Sequence, residues 1–234
     1  MPAEAASRLA AEVRSALTAV ADPAKAGPMQ AYMKSAMPYL GVQTPQRRAA
    51  IRPVAARWQP ESFAAWEQGV WSVFDGAEHR EERYAALDLA LLRRFAGYRD
   101  ARAMALLRRL VVAGAWWDLV DGASPIARDA LAADPARVSP LLRAWARDDD
   151  LWVRRVAVIS QLQRKAGTDR ALLADVLEPN LARPEFFLRK AVGWALRDFA
   201  RADPDWVRAY AESHPQLSAL SRHEALRRIS EASQ

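Results

Sequence analysis

Residues 153–162 read VRRVAVISQL, and the same pattern returns as LRKAVGWAL at 188–196 and as EERYAALDLALL at 81–92. Placed one above another, these stretches align Arg83, Arg154 and Arg189, and with Leu119 between the first two the positions fall at steps of 36, 35 and 35 residues. Within each, small and aliphatic residues recur at spacings of three and four, as they do on a helix with one buried face. A period of this length, made of two helices and a short turn, cannot bury its apolar side alone and must stack on its neighbours. The pattern therefore predicts an all-α fold: a curved HEAT-like repeat solenoid, an α-α superhelix of antiparallel helix pairs.

The rest of the chain fits. Leu9, Val13, Leu17 and Val20 mark a helix face near the start, as do Leu87, Leu91 and Leu92 further on, and no stretch alternates apolar and polar residues as a half-buried strand does. Prolines and glycines fall where turns should join the helices. Asp22-Pro23, Asp134-Pro135 and Asp203-Pro204 read as helix starts, aspartate capping and proline in the first turn. No segment has the composition of a linker, so one domain over 1–234 is expected, with a less regular helical cap to about residue 75 and regular repeats over 76–234.

Composition excludes several classes of chemistry. The 234 residues include no cysteine, which removes disulfides, thiolate metal sites and cysteine nucleophiles. The three histidines, His79, His214 and His223, are too scattered for a histidine metal site, and neither a metal nor another cofactor is expected. No apolar run approaches the ~20 residues of a membrane span, and the N-terminus lacks a signal-peptide core, so the expectation is a cytoplasmic protein without a membrane partner. Phosphate-binding glycine loops, GxSxG and HExxH are absent. The net charge is +6, and 30 of the 34 basic residues are arginine. A GC-rich genome explains most of that bias; the functional reading is a phosphate-contacting surface, since guanidinium forks grip phosphate bidentately.

If equivalent residues of stacked repeats line up, one groove receives Trp117 and Asp121 from one unit, Arg154 and Arg155 from the next, and Arg189, Lys190 and Trp194 from the third. Cations suit phosphates, and indoles suit a sugar face or a base. The block WWDLVD at 116–121 holds the sharpest pairing: in a helix, Trp117 and Asp121 stand one turn apart on one face. Plainer readings stand beside these. Trp116, Trp145 and Trp152 read as core, Asp118 as a first-turn acid after a helix ended by Gly114, and Asp121, in its plainer reading, as a partner for a neighbouring arginine. Pro125 should deprive the Asp121 carbonyl of its helical partner and kink the backbone there.

These motifs, in this order, resemble the AlkD-type DNA glycosylases, HEAT-like bacterial proteins that excise alkylated bases. PMQAYMKSAMPYLGVQTPQRR at 28–48 is similar to the family's N-terminal signature, and WWDLVD, LWVRRVAV, EFFLRKAVGWALRDFA and LSRHEAL follow at family-like spacing. The resemblance implies that Asp121 is the catalytic aspartate, that Trp117 and Trp194 pack against the lesion's deoxyribose and backbone, and that Arg155 contacts DNA phosphate. It adds Tyr32 and Gln43 as cleft-lining residues. Ala115, before the double tryptophan, is a peripheral difference.

The expected activity is hydrolysis of the N-glycosidic bond of cationic N3- or N7-alkylpurines in duplex DNA, leaving an abasic site, with Asp121 ionised at an ordinary carboxylate pKa of about 4. No lysine lies in the motif core to form a Schiff base; Lys190, the nearest, suits a phosphate. A cytoplasmic bacterial monomer, associated with the nucleoid through DNA and needing no obligatory protein partner, is expected. The alternatives are a non-catalytic HEAT-like protein binding damaged or branched DNA, and a protein-interaction solenoid.

Overall fold

Each of the three Asp-Pro steps opens a helix. In the computed structural model, which describes residues 2–231, Asp22, Asp134 and Asp203 accept hydrogen bonds from the amides of Ala24, Arg137 and Trp206 at 3.2, 3.1 and 3.0 Å. Each side chain satisfies one of the amides a helix start leaves unpaired, and the proline that follows has no amide to lose there. Asp150 and Asp169 cap two further helices in the same way, without a proline to advertise them. Every regular element among the described residues is helical, as the all-α expectation requires.

By its contacts the chain forms two compact units, Met1–Tyr98 and Arg99–Gln234. The sequence placed the passage from cap to regular repeats near residue 75; the division between units falls after Tyr98.

The first unit contains α1 (Pro2–Thr18), α2 (Pro23–Met33), α3 (Thr44–Arg57), α4 (Phe63–Asp75), α5 (Arg80–Ala90) and a 3-10 segment, Arg93–Tyr98. Leu9, Val13 and Leu17 of α1 are buried, as are Trp66, Val70 and Phe74 of α4, and the two helices pack together. Full burial of such side chains stabilises by about 1.5–3 kcal/mol each. Val20, read as part of the α1 face, lies past the helix end and is exposed. The connection from α2 to α3 is tied down by a buried carboxylate: Glu81 accepts the amides of Leu40 and Val42, both at 3.0 Å. Between them Gly41 sits at φ 81°, and a Cβ there would lie 2.0 Å from the Asp22 carbonyl oxygen, so only glycine fits.

The second unit contains α6 (Ala103–Gly114), α7 (Trp117–Ala123), α8 (Pro125–Ala133), α9 (Pro135–Trp145), α10 (Leu151–Ile159), α11 (Arg170–Leu177), α12 (Phe186–Phe199), α13 (Pro204–Ser213) and α14 (Ala219–Glu231). α7, α10, α12 and α14 form a row of successive neighbours, with α9, α11 and α13 packed behind. The repeat period is visible in the bonds across that row. Arg155 reaches Asp121, the Gln163 amide reaches Asp198, and Lys190 reaches Glu224, over 34, 35 and 34 residues of sequence. Gly193 lets α12 approach α14: a Cβ would stand 2.6 Å from Glu224 Cβ and 2.9 Å from the Ser221 carbonyl oxygen.

Candidate active site

The site starts where α6 stops. Gly114 is the last residue of α6, as expected, and Ala115 turns the chain in the left-handed region at φ 36°. That conformation costs a residue with a Cβ about 1–2 kcal/mol, so Ala115 is not a neutral difference but the pivot that redirects the chain into α7. Trp116 follows in extended conformation as the N-cap and Trp117 begins the helix. Trp117 and Asp121 therefore lie one turn apart on one face, as read from the sequence. Trp116 points elsewhere: its ring meets Trp152 at 5.9 Å and Phe187 at 5.3 Å, and Trp152 meets Phe187 at 5.1 Å. The core reading holds for Trp152 and Trp145, which are buried, whereas Trp116 is half-buried where it packs on Trp152 and Phe187.

The backbone breaks where Pro125 demands it. α7 ends at Ala123 and α8 begins at Pro125. The Asp121 carbonyl, deprived of an amide four residues on, accepts the Ser124 hydroxyl at 2.9 Å instead.

Opposite Asp121 stands Arg155 of α10. Its Nε and Nη2 donate to the two carboxylate oxygens of Asp121 at 2.7 and 2.8 Å, and its Nη1 donates to the Phe187 carbonyl at 2.5 Å. The arginine side chain is 5% exposed and the aspartate side chain 17%. The resemblance placed Arg155 on DNA phosphate; here the fork grips the carboxylate it was expected to stand beside. The sequence reading had kept an arginine partner for Asp121 as its plainer alternative, and that pairing exists. Burial pushes the Asp121 carboxyl above its ordinary value, against the Arg155 hydrogen bonds and charge that pull it down, with Asp118 adding a further upward push. The expectation of an ordinary pKa for Asp121 is thereby corrected. A carboxylate has about four lone-pair sites, and the fork occupies two, so Asp121 retains acceptor capacity.

The other named residues divide. Arg154, adjacent to Arg155 in sequence, turns back to the end of α9, donating to the carbonyls of Asp148, Ala146 and Arg147 at 2.5, 3.3 and 3.3 Å and to Asn180 Oδ1 at 3.2 Å. Those bonds satisfy carbonyls that a helix end leaves open, a structural task that replaces the expected one in a groove. Lys190 pairs with Glu224 at 2.7 Å, and Arg197 joins the same carboxylate. The Lys190 hydrogen bond, with Arg197 beside it, holds the Glu224 carboxyl below its ordinary range. Trp194, one turn beyond Lys190 on α12, is half-buried against the apolar core of the second unit.

In the first unit Tyr32 is 80% exposed on α2. Gln43 is exposed at the N-cap of α3, where its carbonyl accepts the Arg47 amide at 2.9 Å. Reading the sequence missed two contributors: Phe187, whose carbonyl completes the Arg155 cradle, and Glu81, which fixes the turn preceding Gln43. The doubled phenylalanine in EFFLRKAV was visible, but no sequence pattern marks a carbonyl as an acceptor. Among the described residues no group of three histidines, cysteines or acids is placed to hold a metal ion, and no helix is long and apolar enough to cross a membrane.

Comparison with known proteins agrees in direction. The family model of the DNA alkylation repair enzymes matches residues 13–229. No curated protein matches the chain. Among solved structures, a predicted DNA alkylation repair enzyme from Enterococcus faecalis is similar with a TM-score of 0.69 and 27% identity, over 88% of this chain and 95% of that one. The Pseudomonas fluorescens alkylpurine DNA glycosylase AlkC, bound to DNA containing an abasic site analog, shares the fold with a TM-score of 0.57 and 22% identity, over 97% of this chain and 63% of that one.

Proposed function

Because the chain belongs to the DNA alkylation repair enzyme family, we propose that it is an AlkD-type monofunctional DNA glycosylase. It acts on purines made cationic by alkylation at N3 or N7, in duplex DNA, and leaves an abasic site. The observation that carries this reading is the Asp121 carboxylate, fixed by the Arg155 fork on a helix face shared with Trp117. AlkC, of like fold, is an alkylpurine DNA glycosylase, and the reaction proposed here is of the same class.

The chemistry follows from charge. An alkylated purine already carries a positive charge, so the electron pair of the breaking C1′–N bond neutralises it and the base leaves without an acid. Positive charge then develops on the sugar, where a fixed carboxylate stabilises it. Water adds its oxygen to C1′, and Asp121 orients that water and accepts its proton. Arg155 holds the carboxylate in place and so acts as a positioning residue. Trp117 and Trp194 offer indole faces to the cationic sugar and the flanking backbone. DNA is the partner, met as a monomer in the bacterial cytoplasm at the nucleoid, with no cofactor required by this chemistry.

The test of substrate class compares lesions by charge. The protein should release N7-methylguanine and N3-methyladenine from duplex DNA, leave neutral uracil and hypoxanthine in place, and produce strands that break only on later treatment with alkali. Release of neutral bases at equal rates would refute the charge argument, and direct strand cleavage would refute the monofunctional one. The buried Asp121–Arg155 pair is also what a non-catalytic DNA-binding relative would keep for stability alone; binding of lesion DNA with no release of any base would decide for that second reading.

A further inference from the structure

Ser221 and Glu224 of α14 hold α12 by polar bonds, in addition to the apolar packing between the two helices. Val192 and Leu196 of α12 share one apolar cluster with Ala225 of α14, and Leu226 packs against it. Such burial is non-directional: it keeps the helices side by side but leaves α12 free to turn or slide a little. The directional bonds lie on another side of α12. The Ser221 hydroxyl donates to the Arg189 carbonyl at 2.9 Å. Glu224, which is buried, takes Lys190 on one carboxylate oxygen at 2.7 Å and Arg197 on the other. Gly193 makes room for this, since a Cβ there would stand 2.6 Å from Glu224 Cβ.

Lys190, Gly193, Trp194 and Arg197 fall on one face of α12. Lys190 lies one turn before Trp194 and Arg197 one turn after it, so a single carboxylate brackets the indole from both ends. Both cations are partly exposed and would be solvated without Glu224. Ion pairs of that kind add little to stability; what their fixed geometry supplies is register. Register matters here because side chains reach about 5–6 Å from a helix axis. A turn of α12 by about 10° therefore moves the Trp194 ring by about 1 Å, and displacements of that size cost up to about a hundredfold in rate.

We propose that Glu224 is a positioning residue: by clasping Lys190 and Arg197 it sets the turn of α12, and with it the face that Trp194 presents to the sugar. The proposal rests on the reading above in which Trp194 meets the cationic sugar, and adds that the residue aiming it lies on the next helix of the row.

The test follows Trp194 directly and through the reaction. With 5-fluorotryptophan at all nine tryptophans of the full-length protein, the fluorine signal missing from Trp194→Phe identifies Trp194. Glu224→Gln keeps the size of the side chain and removes its charge. The Trp194 signal should then shift or split, while those of Trp116 and Trp152, which pack on each other away from α14, stay put. An unmoved Trp194 signal would overturn the proposal. A double-mutant cycle reads the reaction, on duplex DNA containing N7-methylguanine with protein in excess. Glu224→Gln should slow base release about tenfold, within the coupling that residues of one ion-pair network show. Duplex affinity should not fall, since Lys190 and Arg197 keep their charges. In a Trp194→Ala background the same substitution should have no further effect on the rate. Equal slowing in both backgrounds would overturn the proposal, because Glu224 would then act through the fold and not through the indole. Should Glu224→Gln fail to fold, Lys190→Gln, which opens one arm of the clasp, takes its place in both measurements. If the wild type releases no base, the glycosylase reading fails while the fluorine signal still decides the clasp. If base is released and the Trp194 signal does not move, the reverse holds.

Discussion

Replacing Arg155 by alanine isolates the interaction on which the site is built. The arginine side chain is 5% exposed and makes three hydrogen bonds, two to Asp121 and one to the Phe187 carbonyl. Breaking a buried pair on one side typically costs about 3–5 kcal/mol, because the other charge is left without compensation. The structure also sets a ceiling on the electrostatic part. The orphaned carboxylate can always take up a proton, and doing so at pH 7 from an ordinary value of 3.8 costs about 4 kcal/mol at 1.36 kcal/mol per unit. We therefore expect Arg155→Ala to lower the unfolding free energy by about 3–4 kcal/mol at pH 7. The pH dependence carries the sharper test. Removing the fork raises the folded-state pKa of Asp121 further above its unfolded value. Stability linked to such a group is fully present below the unfolded value and is lost as pH rises through the folded one. The deficit of Arg155→Ala should accordingly shrink toward about 1–2 kcal/mol as pH falls toward the unfolded value, where protonating Asp121 no longer costs free energy and the Phe187 carbonyl and the missing packing are the remaining costs. Urea unfolding followed by tryptophan fluorescence between pH 4.5 and 8 reads this directly. A cost below about 1 kcal/mol at pH 7, or one that does not change with pH, would refute the reasoning.

Base release should be governed by the same carboxyl. Since burial raises the Asp121 pKa, the acid limb of the single-turnover rate should lie above the ordinary carboxylate range, and Arg155→Lys, which keeps a charge but loses the fork, should move it higher still; a limb at or below pH 4 in both proteins would contradict this. Gly193→Ala places a Cβ 2.6 Å from Glu224 Cβ and 2.9 Å from the Ser221 carbonyl, so α12 and α14 must separate. The expected effect is a destabilisation of about 1–3 kcal/mol, read by thermal unfolding, and an unchanged melting temperature would show that the two helices yield freely. Ser124→Ala leaves the Asp121 carbonyl without a partner at the α7–α8 break and should cost about 1 kcal/mol, whereas a neutral result in the same assay would mean that water replaces the hydroxyl.

The period was legible because stacked helices impose it: a step near 35 residues in the sequence became bonds over 34 and 35 residues between neighbouring helices. The helix starts were legible because Asp-Pro has a local cause, and the break at Pro125 could be argued from one missing amide. Local reasoning fails where long side chains choose among partners. Arg154 and Arg155 look alike in the string, yet consecutive helical residues point about 100° apart. One reaches forward to Asp121 and the other back to the end of α9. Lys190 could as well have faced solvent; only the placement of α14 brings it Glu224. The buried Glu81 was invisible for the same reason, since its partners are two amides some forty residues earlier in the chain.

The most direct test of the central claim compares wild-type protein with Asp121→Asn on duplex DNA containing N7-methylguanine, under single-turnover conditions, with duplex affinity measured alongside. Asparagine keeps the shape of the side chain and a hydrogen bond to Arg155 but removes the negative charge. The account predicts that the wild type releases the base and that the variant binds the duplex comparably while releasing it at least about a hundredfold more slowly, as loss of an electrostatic stabiliser does elsewhere. Equal rates of release from the two proteins would contradict it.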